Sequence, residues 1–320
     1  MKQPVIRFLS TVAFLLAGMV APLPAQAPVK TAEIAKRGLT AQDFPKMIPL
    51  VPNVYAYEDV HIQGAITTNS LIVVTTDGVV VVDGQGTVPQ TERMVAEIRK
   101  LSDKPIRYVI IGSNHGDHTG GNSAFPQTAT FISHPVAQAA FQRAASQPPR
   151  QGGSANPPRV VVPTDTVADK RVITVGGTEI QILFLGRSHT GSDLTVYLPA
   201  QKVLFLSETY MSRMFPSMGG GYPSEWLGAL KKAEEMDAAW YVPAHGFVDD
   251  ARTLKEELPT FRRAVEATIA EGKRLRDAGV PVEQAMMQAK FGEFDGWSIR
   301  DMFGPLAIRR VYAELNGELR

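Results

Sequence analysis

The sequence predicts an α/β protein with a helical tail, on three observations. A β-α-β passage runs from Ser70 to Ile111, a second strand-rich stretch runs from Arg171 to Leu206 with one more short strand at Trp240–Val242, and the pattern from Asp250 onward is mostly helical. At 320 residues the chain is long enough to bury a core that fixes side-chain geometry.

Taken in order, the N-terminus carries Lys2 and Arg7, an apolar stretch from Phe8 to Ala17, and a Pro- and Ala-rich run to Ala27. Residues 1–27 therefore read as a secretory signal, cut after Ala25 or Ala27, and the protein is expected in the periplasm or secreted. The apolar stretch is about half of the roughly 20 residues that cross a bilayer, so no stable membrane anchor is expected. Positive and negative side chains nearly cancel, 33 against 32, which leaves no broad field to draw nucleic acid or an acidic membrane. A small-molecule partner is expected instead. The chain has no cysteine, so it has no disulfides, and any metal must be held by nitrogen and oxygen.

After a lead-in spotted with proline (27–52), Ser70–Thr75 and Val79–Asp83 read as strands about the turn Thr76-Asp77-Gly78. Thr87 and Gln90 form a candidate capping box for a helix through Leu101, and the apolar run Ile106–Ile111, interrupted only by Arg107, follows as a buried strand. A strand at Ala129–Ser133 and a helix at Pro135–Ala145 lead to Gln147–Pro158, which is too rich in Pro and Gly to pack and reads as a mobile loop or lid. Gly176-Gly177 turns a second hairpin (Arg171–Val175, Thr178–Leu185), and Leu194–Leu198 with Lys202–Leu206 add two strands. Ser224–Met236 reads as an amphipathic helix, and the C-terminal helices are expected to break at Pro259 and at Gly279-Val280-Pro281. Met302, Phe303, Leu306, Val311 and Leu315 form an apolar stripe, read as a packing face.

Four of the six histidines, His115, His118, His189 and His245, stand in one kind of place: the turn just after an apolar strand, beside glycine. Strand-end loops of a sheet converge in space, so these rings can meet. Asp117 and Glu208 bring carboxylates to the same edge, and Asp83 ends a strand there too. His61 and His134 lie outside this pattern and read as structural; Arg213 reads as a solvated side chain or a clamp for a substrate carboxylate.

The order and context of these pieces resemble the metallo-β-lactamase-fold superfamily of metallohydrolases. The matching pieces, spread over about Val54 to Gly246, are the hairpin ending in Val-Asp-Gly-Gln-Gly (82–86), His-Gly-Asp-His-Thr-Gly-Gly (115–121), Ser-His-Thr-Gly (188–191), Leu-Phe-Leu-Ser-Glu (204–208) and Pro-Ala-His-Gly (243–246). The resemblance implies a four-layer αβ/βα sandwich of two mixed sheets with helices outside, and one or two zinc ions at its rim. It divides the chain into the signal, a catalytic domain (28–249) and a helical extension (250–320) packed on it. His115, Asp117, His118, His189, Glu208 and His245 become the candidate ligands. Two positions depart from the pattern. Ser113 stands where the family has a first histidine, and Glu208 where it has a bridging aspartate. A neutral hydroxyl is a poor zinc ligand, so one tight zinc is expected at Asp117, His118 and His245, with Glu208 a candidate fourth ligand, and a weak pocket at His115 and His189.

The expected activity is that of an exported zinc-dependent hydrolase attacking an ester, thioester, lactone or amide bond, a β-lactam included, through a metal-activated water. Asp117, His115 and His189 are the candidate catalytic residues, either histidine being a general base where it is not metal-bound. Two readings compete with this: a non-catalytic metal- or ligand-binding member of the fold, motivated by Ser113, and a mononuclear iron site for oxygen chemistry, which two histidines and a carboxylate also suit.

Overall fold

The computed structural model describes residues 29–61, 63–147 and 159–319. The expected signal (1–27) and nearly all of the expected mobile loop or lid (147–158) lie outside the described residues.

The strands make two sheets. The first joins β1 (Lys46–Val51), β2 (Val54–Val60), β3 (Thr67–Val74), β4 (Val79–Val82), β5 (Ile106–Ile110), β6 (Thr130–Ser133) and β7 (Asp165–Thr166) in chain order. Pairing is antiparallel up to β4 and parallel from β4 to β7. The second joins β8 (Lys170–Val175), β9 (Thr178–Leu183), β10 (Thr195–Leu198), β11 (Val203–Phe205) and β12 (Trp240–Val242), antiparallel except for the parallel β11–β12 pair. Both sheets are mixed, as the resemblance implied.

Alternation places the cores. On β3 and β4, Leu71, Val73, Val80 and Val82 face the second sheet and meet Ile180, Ile182, Val196 and Phe205. Their neighbours Ile72, Val79 and Val81 face the other way, onto Met94, Val95 and Ile98 of α1 (Val88–Leu101). A third core lies outside the second sheet. There Leu204, Leu206 and Tyr241 pack under α4 (Pro223–Glu234), α5 (Ala251–Asp277), α6 (Val282–Gln288) and α7 (Arg300–Leu315). The two remaining helices, α2 (Gly116–Thr119) and α3 (Pro135–Ser146), follow β5 and β6.

The local expectations need four corrections. Pro259 does not break the tail but lies inside α5, where the amphipathic helix packs on α4, α7 and β12. Lys255, whose carbonyl loses its helical donor, is exposed, and the Thr260 hydroxyl donates to Glu256 O (3.0 Å) one position on. The break at Gly279 does occur. At α1, Thr87 Oγ1 accepts from Gln90 N, but Gln90 Oε1 accepts from the Thr87 hydroxyl (2.9 Å) rather than from the Thr87 backbone N–H, and its amide donates to Val60 O (2.7 Å), so the box is only half formed. β5 is not buried throughout, since Arg107 is exposed. In the C-terminal stripe Val311 is buried, whereas Met302 is 57% exposed.

Candidate metal centre

Each of the six sequence-selected residues follows the C-terminal end of a strand. His115, Asp117 and His118 form the turn and short helix α2 after β5; His189 lies in the loop after β9; Glu208 lies in the 3-10 turn Ser207–Thr209 after β11; His245 follows β12. β9, β11 and β12 run in one direction within their sheet, so its three contributions emerge at a single edge. The first sheet supplies the rest at that edge.

The structure brings all six together in two groups that share one residue: Asp117, His118, Glu208 and His245, and His115, His189 and Glu208. In the first, Asp117 Oδ2 lies 3.2 Å from His245 Nε2 and 3.5 Å from His118 Nε2, the two ring nitrogens are 3.3 Å apart, and Glu208 Oε1 lies 3.3 Å from His245 Nε2 and 4.0 Å from His118 Nε2. In the second, His189 Nε2 is 3.1 Å from Glu208 Oε1, His115 Nδ1 is 2.9 Å from Glu208 Oε2, and the rings' nitrogens are 3.0 Å apart. The second pocket thus has three donors rather than the two expected, because Glu208 reaches both groups.

Backbone and buried polar groups hold these side chains. Thr67 O, 2.8 Å from His245 Nδ1, can only accept, so that nitrogen carries the hydrogen and Nε2 turns a lone pair to the centre. Asp83 Oδ2 lies 3.3 Å from His118 Nδ1, an ionic contact outside hydrogen-bond geometry whose negative charge favours the hydrogen on that nitrogen. Asp83 also accepts from Gly112 N (2.6 Å), Ser113 N (3.2 Å) and Ser207 Oγ (2.5 Å), tying the turn after β5 to the turn after β11. Asn69 donates to Pro243 O and Gly246 O, fixing the His245 turn. Gly246 is required there: its φ is +80°, and a Cβ would sit 2.1 Å from Ser212 O. Ser188 Oγ, Thr190 N and Thr190 Oγ1 all donate to Asp193, which closes the loop that carries His189. Ser113 does not face an empty ligand position, since its hydroxyl donates to Glu208 Oε2 in a short hydrogen bond.

The charges are what a cation would balance. Burial opposes ionisation of Asp117, but His118 and hydrogen bonds with His245 and His61 outweigh it and hold the carboxyl well below the usual range. Glu208 is likewise held low, with His189 and His115 overcoming burial. Burial disfavours charge on His245, yet Asp117 and Glu208 push it up to about 10; Glu208 pushes His115 up to about 9. Burial is outweighed at His118 too, by Asp117 and Asp83. With His118 and His245 neutral in the tautomers their partners dictate, two imidazole lone pairs and two carboxylate oxygens converge with no donor among them. Protons or a cation must fill that space. Donors around a tetrahedral zinc, with bonds of about 2.0–2.2 Å, lie about 3.3 Å apart, close to the separations of the first group. The buried His189 Nδ1 has no hydrogen-bond partner among the described residues.

Two residues read otherwise from sequence, His61 and Arg213, are corrected here. His61 is part of the site: its Nε2 lies 3.3 Å from Asp117 Oδ2, and its ring meets that of His245 edge-on at 5.5 Å. It stands in a turn after β2 with Gly64 close by, the same context that marked the other four, but Glu58 and Asp59 make β2 look polar. Arg213 is not a solvated side chain, since its guanidinium is ion-paired with Glu257 of α5. Phe303 packs against the core under the C-terminal helices, as expected, and also lines a cavity of about 300 Å³ above the centre, with Ile66, Met214 and Ile299. His134 does serve structure, accepting from Val136 N at the start of α3 and stacking on Phe184.

A family profile described as the metallo-beta-lactamase superfamily matches residues 64–245, more than half of the chain. Among curated proteins, the chain is 24% identical over 282 residues to a linear primary-alkylsulfatase from Pseudomonas sp., covering 74% of this chain and 53% of that protein. It is 24% identical over 208 residues to a metallo-beta-lactamase type 2 from Bacillus sp., covering 62% and 74%. The chain thus spans about half the length of the alkylsulfatase and about three quarters of the lactamase. Among solved structures, a metallo-beta-lactamase from Pontibacter korlensis superposes with a TM-score of 0.57 at 19% identity, over 69% of this chain and 99% of that one, which shows the shared fold. On its matched profile, its two mixed sheets and the histidine and carboxylate cluster at their common edge, the chain belongs to the metallo-beta-lactamase superfamily.

Proposed function

We propose that this chain is an exported zinc-dependent hydrolase that cleaves an ester, thioester, lactone or amide bond of a small molecule. The observation that carries the reading is Glu208, one carboxylate shared by two groups of ligand-type donors on the floor of an open cavity. Asp117, His118 and His245 with Glu208 would hold the tighter ion, and His115, His189 and Glu208 a second. Zinc there supplies Lewis acidity and lowers the pKa of its water from about 15.7 to about 7 in favourable sites.

The chain's own groups do the rest. Asp83 and Thr67 O fix the two rings, and Ser113 holds one oxygen of Glu208 so that the other faces both groups. Gln63 N donates to His61 Nδ1 (3.1 Å), which leaves the hydrogen on Nε2 to donate to Asp117 and orient it from the cavity side. Where only one ion is held, His189 and His115 pass a proton from the buried floor to the rim, His115 being 44% exposed. Export is supported by the leader-like first 27 residues; among the described residues no helix is long and apolar enough to cross a membrane.

The test is elemental analysis of the purified protein with a hydrolysis panel: a nitrophenyl ester, a thioester, a lactone and, for the chemistries named by its relatives, an alkyl sulfate and a β-lactam. Zinc at one equivalent or more, with turnover lost on chelation and in Asp117→Ala and His118→Ala, is the expected result. Turnover indifferent to chelator and to both substitutions ends the reading, and iron in place of zinc redirects it to oxygen chemistry.

A further inference from the structure

The cavity above the metal centre has two unlike ends. Its floor is ionic and imidazole-rich, with His115, Asp117, His189 and Glu208, and His61 stands beside them. Its wall is aliphatic and aromatic: Ile66 before β3, Met214 after β11, and Ile299 and Phe303 at the start of α7. Ile66 and Met214 belong to the core under the C-terminal helices, with Ile299 and Phe303 packed partly buried against it, so the wall is an extension of that core into the cavity.

Ile299 shows that this wall is built rather than incidental. Its φ is +61° and ψ +7°, a left-handed conformation that is a genuine outlier for a β-branched residue. The structure enforces it from both sides: Phe215 N donates to Ser298 O (3.1 Å), and Met302 N (3.1 Å) and Phe303 N (3.0 Å) donate to Ile299 O. Glycine would satisfy that backbone without strain, so an isoleucine there is explained by what its side chain does, and its side chain lines the cavity. Ile299 and Phe303 also lie outside the superfamily match at 64–245. The six ligand-type residues all lie inside that match, whereas these parts of the wall come from the helical tail.

We infer that the cavity is a substrate pocket for an amphiphile, whose scissile polar head reaches the metal centre while an aliphatic chain lies against Ile66, Met214, Ile299 and Phe303. A cavity of about 300 Å³ holds roughly ten water-sized groups, which accommodates the head and a chain of about six carbons. The reacting end of this inference rests on the hydrolase reading; the apolar end does not.

Calorimetric titration of the zinc-loaded full chain with acetate, butyrate and hexanoate separates the two. Affinity is expected to rise about fourfold per buried methylene, with Ile299→Gly and Phe303→Ala flattening that rise at unchanged zinc content. A parallel series of nitrophenyl acetate, butyrate and hexanoate should show the same slope in kcat/KM. Equal binding of acetate and hexanoate by the unaltered chain overturns the inference, as does a slope that survives both substitutions. A slope in binding without turnover of any substrate in the hydrolysis panel upholds the pocket and removes the hydrolase; turnover without a slope does the reverse.

Discussion

Glu58 offers a stability measurement whose size follows from the structure. It is a buried carboxyl on β2, 2% exposed, and Val248 N donates to its Oε2 (2.8 Å), linking β2 to the segment that follows His245. Burial pushes its pKa up to about 7, partly offset by that hydrogen bond and by Lys46. The folded protein therefore holds a proton that the unfolded chain releases at about 4.5. Between those values the folded state binds more protons, so stability must fall as pH rises through this window and level off above about 7. A displacement from about 4.5 to about 7, at 1.36 kcal/mol per unit, corresponds to about 3 kcal/mol. Glu58→Gln keeps an acceptor for Val248 N and cannot ionise. Near pH 4 the two proteins should differ little, and near pH 8 the variant should be more stable by about 2–3 kcal/mol. Urea unfolding at pH 4, 5, 6, 7 and 8, followed by far-ultraviolet circular dichroism, reads this directly. Every other titrating group is common to both proteins and cancels in the difference. A difference that stays constant across that range, or favours the parent as pH rises, refutes the reasoning.

Asp83→Asn should weaken zinc binding about 10- to 100-fold, read by competition with a chromophoric chelator, because it weakens the acceptor that orients His118 and ties together the turns after β5 and β11. His61→Ala should retain its zinc yet lower kcat/KM about tenfold, the worth of one hydrogen bond to a charged group; lost zinc would make His61 a ligand instead. Gly246→Ala should destabilise by about 2–4 kcal/mol, visible as a lower urea midpoint, because the new Cβ meets Ser212 O at 2.1 Å on a backbone with φ of +80°.

Much of the fold was legible because period-2 patterning and turn chemistry are local. The hairpin turns at Thr76-Asp77-Gly78 and Gly176-Gly177, and the strands on either side, need only near neighbours in sequence. The candidate ligand residues were legible for a similar reason, since each carries a strand, a turn and a glycine with it. What escaped is decided at long range. Pro259 stays helical because α4, α7 and β12 pack along α5, and no local signal contains that packing. Arg213 is taken by Glu257, 44 residues away in sequence. His61 was hidden because Glu58 and Asp59 interrupt the apolar character of β2, although both are buried in the fold. Phe303 read only as part of a packing stripe, and its place beside the cavity depends on how the tail folds over it.

The two departures from the superfamily's pattern are neighbours in space, and each makes sense of the other. Serine at 113 is shorter than the expected histidine by a ring, and glutamate at 208 is longer than the expected aspartate by a methylene. Ser113 is fully buried, and the added length brings Glu208 Oε2 to its hydroxyl. One carboxylate oxygen is thereby tied by Ser113 and His115, while Oε1 is presented to His189 and His245 at 3.1 and 3.3 Å. A ligand lost from one strand end is replaced by greater reach from another, so the second pocket keeps a third donor without a third histidine. Taken singly, the serine reads as decay of a catalytic site. With its partner, it reads as a different distribution of the same negative charge, in which a single carboxylate reaches both pockets.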